Sequence, residues 1–281
     1  MIGNLRIPKI CNIKLTLDYD SMENKKIVFL HELKFTDRDI EKIGKDTYAF
    51  IATFAYAIDE ISVFLKLVIQ SYGDKPKDEA LLQMFAIQQN TIIRVLSAKL
   101  VETIKLYGDY EKHLGETGKS AYLNALQPHT EALEAIIRAP SFKVSQRLRN
   151  KATNHYNFKE SLKNLDGSVS PNASKSIFLH LSQGNSFAPL GEEVVFLGRF
   201  WRYFKEETRL EVNMDRAHEW IEWNQSAAKW AIKTFNAFII WLHHNEFPEQ
   251  YGTKAEHYLE PELFGELGIN RLPIVFDIQE E

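Results

Sequence analysis

Apolar residues recur every three or four positions over most of the chain, which is the period of an amphipathic helix. Two runs of this kind are long and dense, "FIATFAYAIDEISVFLKLVIQ" (50–70) and "WAIKTFNAFIIWLHHNEF" (230–247). The first lies within a helix predicted over 46–71, and the second forms the end of a helix predicted over 213–246. Another long helix is predicted over 78–107. The pattern therefore indicates a protein built mainly from helices.

Polar and glycine-bearing segments are expected to separate these helices. The segment "GDYEKHLGETGKS" (108–120) predicts a loop. The helical run at 120–138 contains Pro128, which should kink or split it because proline lacks a backbone donor. The sequence "APS" (139–141) should end that helix. Ser141 is the predicted N-cap of the next helix, which runs to about residue 165.

Short alternating stretches predict a small amount of β-structure. The segment "SIFLHLSQGNSFAPL" (176–190) has two alternating runs around Gly184-Asn185 and predicts a β-hairpin, followed by a helix over 191–207. Partial alternation indicates short strands in the N-terminal extension, 1–45. Prolines and glycines predict a loop-rich C-terminal tail, 247–281. The predicted fold is all-α: one helical domain over 46–246 with a small β-hairpin insertion.

Composition and charge narrow the classes of protein. The 281 residues carry a net charge of -4, which argues against a surface coated in basic charge for bulk binding of nucleic acid or membrane. A single cysteine, Cys11, permits neither an intramolecular disulfide nor a cysteine zinc site, so a reducing cytoplasmic setting is expected. The apolar runs contain charges such as Asp59 and Lys233. Because a charge at a bilayer centre costs about 2.5–3.5 kcal/mol, both runs are predicted to be buried helices of a soluble protein.

One segment, "RLRNKATNHYNF" (147–158), departs from the apolar pattern because it packs six charged, amide or imidazole side chains into nine positions: Arg147, Arg149, Asn150, Lys151, Asn154 and His155. If the helix is continuous, each residue turns by about 100°, so His155 shares the apolar stripe with Leu148. Arg149 then lies about 120° away from His155 around the helix axis. A site using both side chains would gain from a second copy of the segment facing the first.

The spacing Arg149-Asn150-x-x-x-x-His155 resembles the R-x(4–6)-H signature of the HEPN superfamily, many of whose members are metal-independent ribonucleases. Asn150 matches the polar residue that typically follows the arginine. The wider segment, after two long helices and before a hairpin, is similar to HEPN proteins of the toxin and abortive-infection type. The resemblance covers roughly 46–165. It implies a HEPN-like helical bundle, a homodimer whose two motifs share a cleft, and cleavage of RNA.

The residue types suit that chemistry without a metal or another cofactor. Histidine, with an unperturbed pKa of about 6.5, can move protons near neutral pH, so His155 is the predicted general acid and base. The permanently charged fork of Arg149 is expected to stabilise the transition state, and Asn150 to orient the groups. Substrate-binding roles are predicted for five neighbouring residues: Lys143, Arg147, Lys151, Asn154 and Tyr156. With Lys159 and Lys163, opposed in this span only by Glu160, they predict a local basic groove.

Other interpretations of the same residues stay open. His155 is also compatible with a core histidine bonded to a backbone carbonyl, and Arg149 with an arginine in a weak surface ion pair. Lys99 and Glu102, on the second long helix, are candidates to line the same cleft. A HEPN-like module that binds a nucleotide, RNA or a partner protein without catalysis is therefore an alternative to the nuclease, and a structural scaffold is another. A cognate antitoxin or regulatory protein is a further possible partner.

Two other features are expected to be structural. The four tryptophans of the helix predicted over 213–246 should pack in the core or at a dimer contact, because aromatic residues at helical spacing usually pack. His243 and His244 point about 100° apart on a helix, which disfavours a shared metal ion with Glu246. No Gly-x-Gly-x-x-Gly, Walker loop or Gly-x-Ser-x-Gly elbow is present.

Overall fold

A computed structural model of the chain describes residues 26–31, 33–71, 76–150, 158–165, 173–179, 185–209, 214–248, 254–259 and 273. The described residues are predominantly helical, which confirms the predicted all-α class. In chain order, the helices are α1 Asp37–Ile43, α2 Lys45–Ser71, α3 Glu79–Thr117, α4 Ser120–Arg138, α5 Pro140–Leu148, α6 Phe158–Leu165, the single turn α7 Pro189–Gly191, the π-helical segment π1 Glu192–Leu197, α8 Gly198–Thr208 and α9 Met214–Glu246.

The core lies between the long helices α2, α3, α4 and α9, with α5 and α8 packed beside them. The helices α2 and α9 agree with the predicted spans 46–71 and 213–246 to within one residue. Aromatic rings fill much of the space between them. Phe50 of α2 stacks on Tyr110 of α3 with ring centroids 3.7 Å apart, and Tyr107 meets Trp230 edge to face at 5.2 Å. Burial of these rings supplies much of the energy that holds the helices together.

The tryptophans of α9 pack in the core, as expected. Trp220, Trp223 and Trp230 are buried, and the half-buried Trp241 contacts the ring of Tyr122. The indole N–H of Trp223 donates to the carbonyl of Ile136, so burial leaves this polar group satisfied. These side chains therefore pack within the subunit.

The predicted loop at 108–120 is wrong, because α3 continues through Gly108 to Thr117. Tyr110 and Leu114 are buried, so core contacts hold the helix together across this polar, glycine-bearing stretch. The helix ends at Gly118, whose left-handed φ of 72° is the usual glycine C-cap conformation. At the other end, the Asp78 side chain accepts the N–H of Leu81 at 3.0 Å.

Pro128 does not split α4, which runs unbroken from Ser120 to Arg138. The carbonyl that proline leaves unpaired belongs to Asn124, and both residues are exposed, so water can satisfy it. The predicted N-cap Ser141 is also wrong. Ala139 occupies that position, Pro140 forms the first helical residue and Ser141 is buried.

The predicted helix through the motif to residue 165 corresponds to two described helices. The first, α5, ends at Leu148, and the second, α6, begins at Phe158. Residues 151–157 lie outside the described part of the chain. In the predicted hairpin at 176–190, Phe178 and Phe187 form one antiparallel bridge and their rings stack 4.7 Å apart.

Outside the helices, the strands β1 Lys26–His31 and β2 Lys254–Leu259 pair antiparallel, with Lys26 opposite Leu259 and His31 opposite Lys254. The second strand lies where the sequence predicted a loop-rich tail. Residues 26 and 259 are 233 positions apart, so no local pattern could reveal this pairing. The alternating segment at 11–20 lies outside the described residues.

Candidate functional site

The short helix α5 brings the polar segment to the surface of the helical core. Its buried side includes Val144 and Leu148. Ser145 fixes the helix to two neighbours, because its hydroxyl accepts from Trp220 Nε1 at 2.9 Å and lies 2.9 Å from the hydroxyl of Ser97. A buried, fully bonded hydroxyl is costly to displace. The end of α5, where the motif begins, is thereby held against α3 and α9.

Arg149 lies immediately after α5, where the backbone of Arg149 and Asn150 is π-helical. Its backbone N–H donates to the carbonyls of Ser145 and Gln146. The side chain is about one-third exposed and forms an ion pair with Glu102 of α3, and its Nη1 donates to Asn150 Oδ1 at 2.8 Å. The two residues that begin the R-x(4–6)-H pattern therefore contact one another at the surface. Short π-helical turns inside helices often occur at functional sites.

The other described cations of the motif already have carboxylate partners. Arg147 forms ion pairs with Glu206 and Glu207 of α8, and its guanidinium lies 4.1 Å from the ring centroid of Tyr203. Lys143 Nζ is 3.9 Å from Glu207. These acidic residues are about 60 positions further along the chain. The basic groove predicted from the local sequence is thus partly neutralised by a packed neighbour.

Four predicted site residues lie outside the described part of the chain: Lys151, Asn154, His155 and Tyr156. Lys159 and Lys163 are exposed on α6. The predicted angle between Arg149 and His155 assumed one continuous α-helix. Since α5 ends at Leu148, that angle does not follow from the structure. The roles of these four residues, and the core-histidine alternative, stay predictions.

An open cavity of about 350 Å³ lies between α2 and α3, and Glu102 forms part of its wall. On the α3 side Lys99 also lines it, so both residues named as candidates for the cleft border this space. On the α2 side it is lined by Tyr56 and Glu60. Glu60 Oε1 accepts from Lys99 Nζ at 2.6 Å. The Arg149–Glu102 ion pair therefore connects the motif to the cavity.

Tyr56 and Glu60 were missed by the sequence analysis. They lie one helical turn apart on the side of α2 that faces α3. In the local sequence they are visible only as two residues with polar side-chain ends at i and i+4. Their relevance depends on α3, which begins after them in the chain and brings Lys99 opposite. The one sequence feature that could have identified them is a tyrosine and a carboxylate on the same helix face. Such pairs are common in ordinary helices, so this feature does not distinguish a site.

Two further clusters of ionisable groups occur away from the motif in sequence. Asp46 binds Lys119 Nζ at 2.6 Å and His113 Nε2 at 2.9 Å. Burial alone would raise the pKa of Asp46, but the hydrogen bonds from Lys119 and His113 outweigh it and hold the pKa well below its usual range. Burial also raises the pKa of Glu192 in π1, which its ion pair with Arg94 offsets only in part.

Among the residues that the structure describes, no three histidine, cysteine or acidic side chains are grouped so as to hold a metal ion. His243 is buried and His244 is exposed, so the two rings diverge as the helical geometry predicts. Glu246 instead contacts Lys42 and accepts from the hydroxyl of Tyr122. In the described part of the chain, no helix is both long enough and apolar enough to cross a bilayer.

No protein-family model matches this chain, and neither a curated protein nor a solved structure matches it. The resemblance to the HEPN superfamily therefore rests on the Arg149-Asn150-x-x-x-x-His155 spacing and on its helical setting.

Proposed function

We propose that this protein is a metal-independent endoribonuclease of HEPN type, which acts as a homodimer and serves as a toxin or antiviral defence effector in the cytoplasm. The observation that carries the proposal is the position of Arg149. Its guanidinium is partly exposed at the surface beside Asn150 and forms an ion pair with Glu102, which is part of the wall of an open cavity. A planar guanidinium that binds a carboxylate presents the geometry that binds two phosphate oxygens.

The proposed reaction uses the 2′-hydroxyl of RNA as the nucleophile. His155 takes the hydroxyl proton as the 2′-oxygen bonds to phosphorus, and the P–O5′ bond breaks as the 5′-oxygen gains a proton from protonated His155. The products are a 2′,3′-cyclic phosphate and a 5′-hydroxyl end. Arg149 stabilises the added negative charge on the phosphoryl oxygens. Asn150 accepts a hydrogen bond from Arg149 and keeps the guanidinium oriented.

Binding of the RNA backbone would draw on Lys143 and Arg147, with Lys151, Asn154 and Tyr156 beside them. Lys143 and Arg147 would exchange Glu206 and Glu207 for phosphate groups. Partly exposed ion pairs of this kind contribute only about 0–1 kcal/mol, so the exchange costs little. Release of counterions from RNA then makes the affinity fall as salt rises.

The first test is cutting of a mixed-sequence RNA in the presence of EDTA. We expect cutting that survives the chelator and falls by about 100-fold or more in Arg149→Ala, as when one transition-state donor is removed. Arg138→Ala is the matched control, because that arginine is exposed on α4 and pairs with Glu134 on its own helix. Equal loss in both variants, or loss of cutting with EDTA, would contradict the proposal.

The second test concerns His155. Replacement by alanine should abolish cutting while shifting the thermal melt by only a few degrees, since a solvent-facing catalytic ring contributes little to packing. His244→Ala, at an exposed position of α9, is the control and should keep its activity. An unfolded His155→Ala variant would instead support the core-histidine interpretation.

A binding module without catalysis is the second candidate function. It is favoured by one observation: Lys143, Arg147 and Arg149, which would contact the phosphates, each already have a carboxylate partner. In that case RNA or a nucleotide would be retained without being cut, or the surface would bind a regulatory protein. A structural scaffold would show no salt-dependent affinity for RNA.

A further inference from the structure

The cavity between α2 and α3 has the size of a small-ligand site, about 350 Å³. It is bordered by side chains of contrasting chemistry: the ring of Tyr56, the carboxylates of Glu60 and Glu102, the ammonium of Lys99 and the apolar side chain of Leu106. Glu102 also binds Arg149. Glu102 therefore links a ligand in this cavity to the guanidinium to which we assign the phosphate.

Tyr56 offers a free aromatic surface at the edge of the cavity. Its side chain is 66% exposed, and it makes no ring contact with another residue in the described part of the chain. Tyr56 and Glu60 are four residues apart, so their side chains lie on the same face of α2, one helical turn from each other. A planar group entering the cavity can stack on this ring, as unpaired RNA bases do on aromatic side chains.

The charges around the cavity favour a neutral ligand with N–H donors over a second phosphate. Three acidic residues, Glu60, Glu102 and Asp109, line it with two lysines, Lys99 and Lys105. Together these five residues give the wall one net negative charge. Lys99 Nζ donates to Glu60 Oε1 at 2.6 Å and so fixes the orientation of the carboxylate. The carboxylate oxygens can still accept further hydrogen bonds.

We propose that this cavity binds a guanine base beside the phosphate held by Arg149, with Tyr56 stacking on the base and Glu60 accepting its N–H groups. Guanine is the RNA base with two adjacent donors, N1–H and N2–H, on its pairing edge, and these match the two oxygens of a carboxylate. The phosphate assignment rests on the proposed nuclease function. The base-binding role of Tyr56 and Glu60 is a separate property with its own measurement.

The direct test is binding of the four ribonucleoside 5′-monophosphates to the full-length protein by calorimetry, without any cutting step. Guanosine monophosphate should bind about tenfold or more tightly than the other three. Tyr56→Ala should weaken its binding by about tenfold, the lower end of the stacking range, whereas Tyr56→Phe should retain it. Glu60→Gln should remove the preference for guanine. Val63→Ala, at an exposed position of α2 outside the cavity wall, is the control and should leave all four affinities unchanged.

Equal binding of the four nucleotides, or a preference for guanine that survives both Tyr56→Ala and Glu60→Gln, would overturn the inference. Mapping of RNA ends separates it from the nuclease proposal. Guanine-selective binding in a protein that cuts no RNA would leave the base site standing and remove the nuclease. Cutting without enrichment of guanine at one side of the break, together with unselective nucleotide binding, would support the nuclease and remove the guanine site.

Discussion

Asp46 shows how single polar residues depend on distant parts of the chain. Its partners His113 and Lys119 lie 67 and 73 residues further on. Gly44 is part of the same arrangement, with φ +88°, a conformation that favours glycine. A Cβ at Gly44 would lie 2.7 Å from Asp46 Oδ1 and 2.8 Å from Lys119 Nζ, so any other residue would have to displace this ion pair as well as adopt the strained φ.

The lowered pKa of Asp46 predicts a specific pH dependence of stability. The unfolded carboxyl titrates near pH 3.9, and the folded one titrates lower, so the stabilisation is present above about pH 4 and is lost as the pH falls through the folded pKa. Because the side chain is one-third exposed, we expect on the order of 1 kcal/mol after allowance for solvent screening.

The measurement is urea unfolding of wild type and Asp46→Asn from neutral pH to below pH 3. The difference in free energy of unfolding should be largest near neutral pH and shrink below about pH 4. Asp59→Asn, which removes an exposed carboxylate from α2, is the matched control. A difference between wild type and Asp46→Asn that stays constant across this range would contradict the assignment.

At the scale of elements, α3 is longer than its local sequence favours. Its last third contains Gly108 and Gly115, each of which lowers helix propensity. The buried side chains Tyr107, Tyr110 and Leu114 nevertheless recur at spacings of three and four. Burial of these side chains against the rest of the core outweighs the loss, so the helix continues to its glycine cap at Gly118.

We therefore expect Gly108→Ala to raise the free energy of unfolding by about 0.5–1 kcal/mol, because alanine loses less backbone entropy on folding. A Cβ at this position meets no atom within 4 Å. Gly198→Ala is the contrasting helical substitution, since its Cβ would lie 3.0 Å from Asn164 Cβ, and it should be destabilising. Chemical denaturation of both variants checks the pair. Destabilisation by Gly108→Ala would indicate that α3 is not helical there.

At the scale of the whole molecule, Arg149 and Asn150, at the described start of the motif, lie at the edge of the helical core and not inside it. The end of α5 is held by Ser145, and Arg149 reaches across to α3. A single subunit thus brings one copy of Arg149 to this surface. The proposed reaction places two motifs in one cleft, which requires a second copy of the chain.

Accordingly, we expect light scattering to give twice the mass of the chain at micromolar concentration. Variants that disrupt the dimer should lose RNA cutting while keeping their helical circular dichroism, because the shared cleft is lost and the subunit core is not. A stable monomer that still cuts RNA would contradict the shared cleft. Arg149→Ala is the control for mass, since it should remain dimeric.

The sequence by itself determined the class of fold and the limits of its densest helices. The helices α2 and α9 follow from apolar side chains at helical spacing over 27 and 33 residues. Such long periodic runs bury a face wherever they pack, so their helical state depends little on the neighbours. The segment around Arg149 was also found from sequence, because its polar residues interrupt an otherwise apolar pattern.

Only the tertiary structure decided which groups stand opposite that segment. Glu206 and Glu207 neutralise Arg147, and Tyr56 and Glu60 border the cavity beside Glu102. None of these residues is near Arg149 in the chain. Charge balance at a surface depends on electrostatic interactions through space, whose energy falls as the distance between the charges grows. A local sequence pattern reports only the neighbours along one helix. For that reason the motif was visible in the sequence and its surroundings were not.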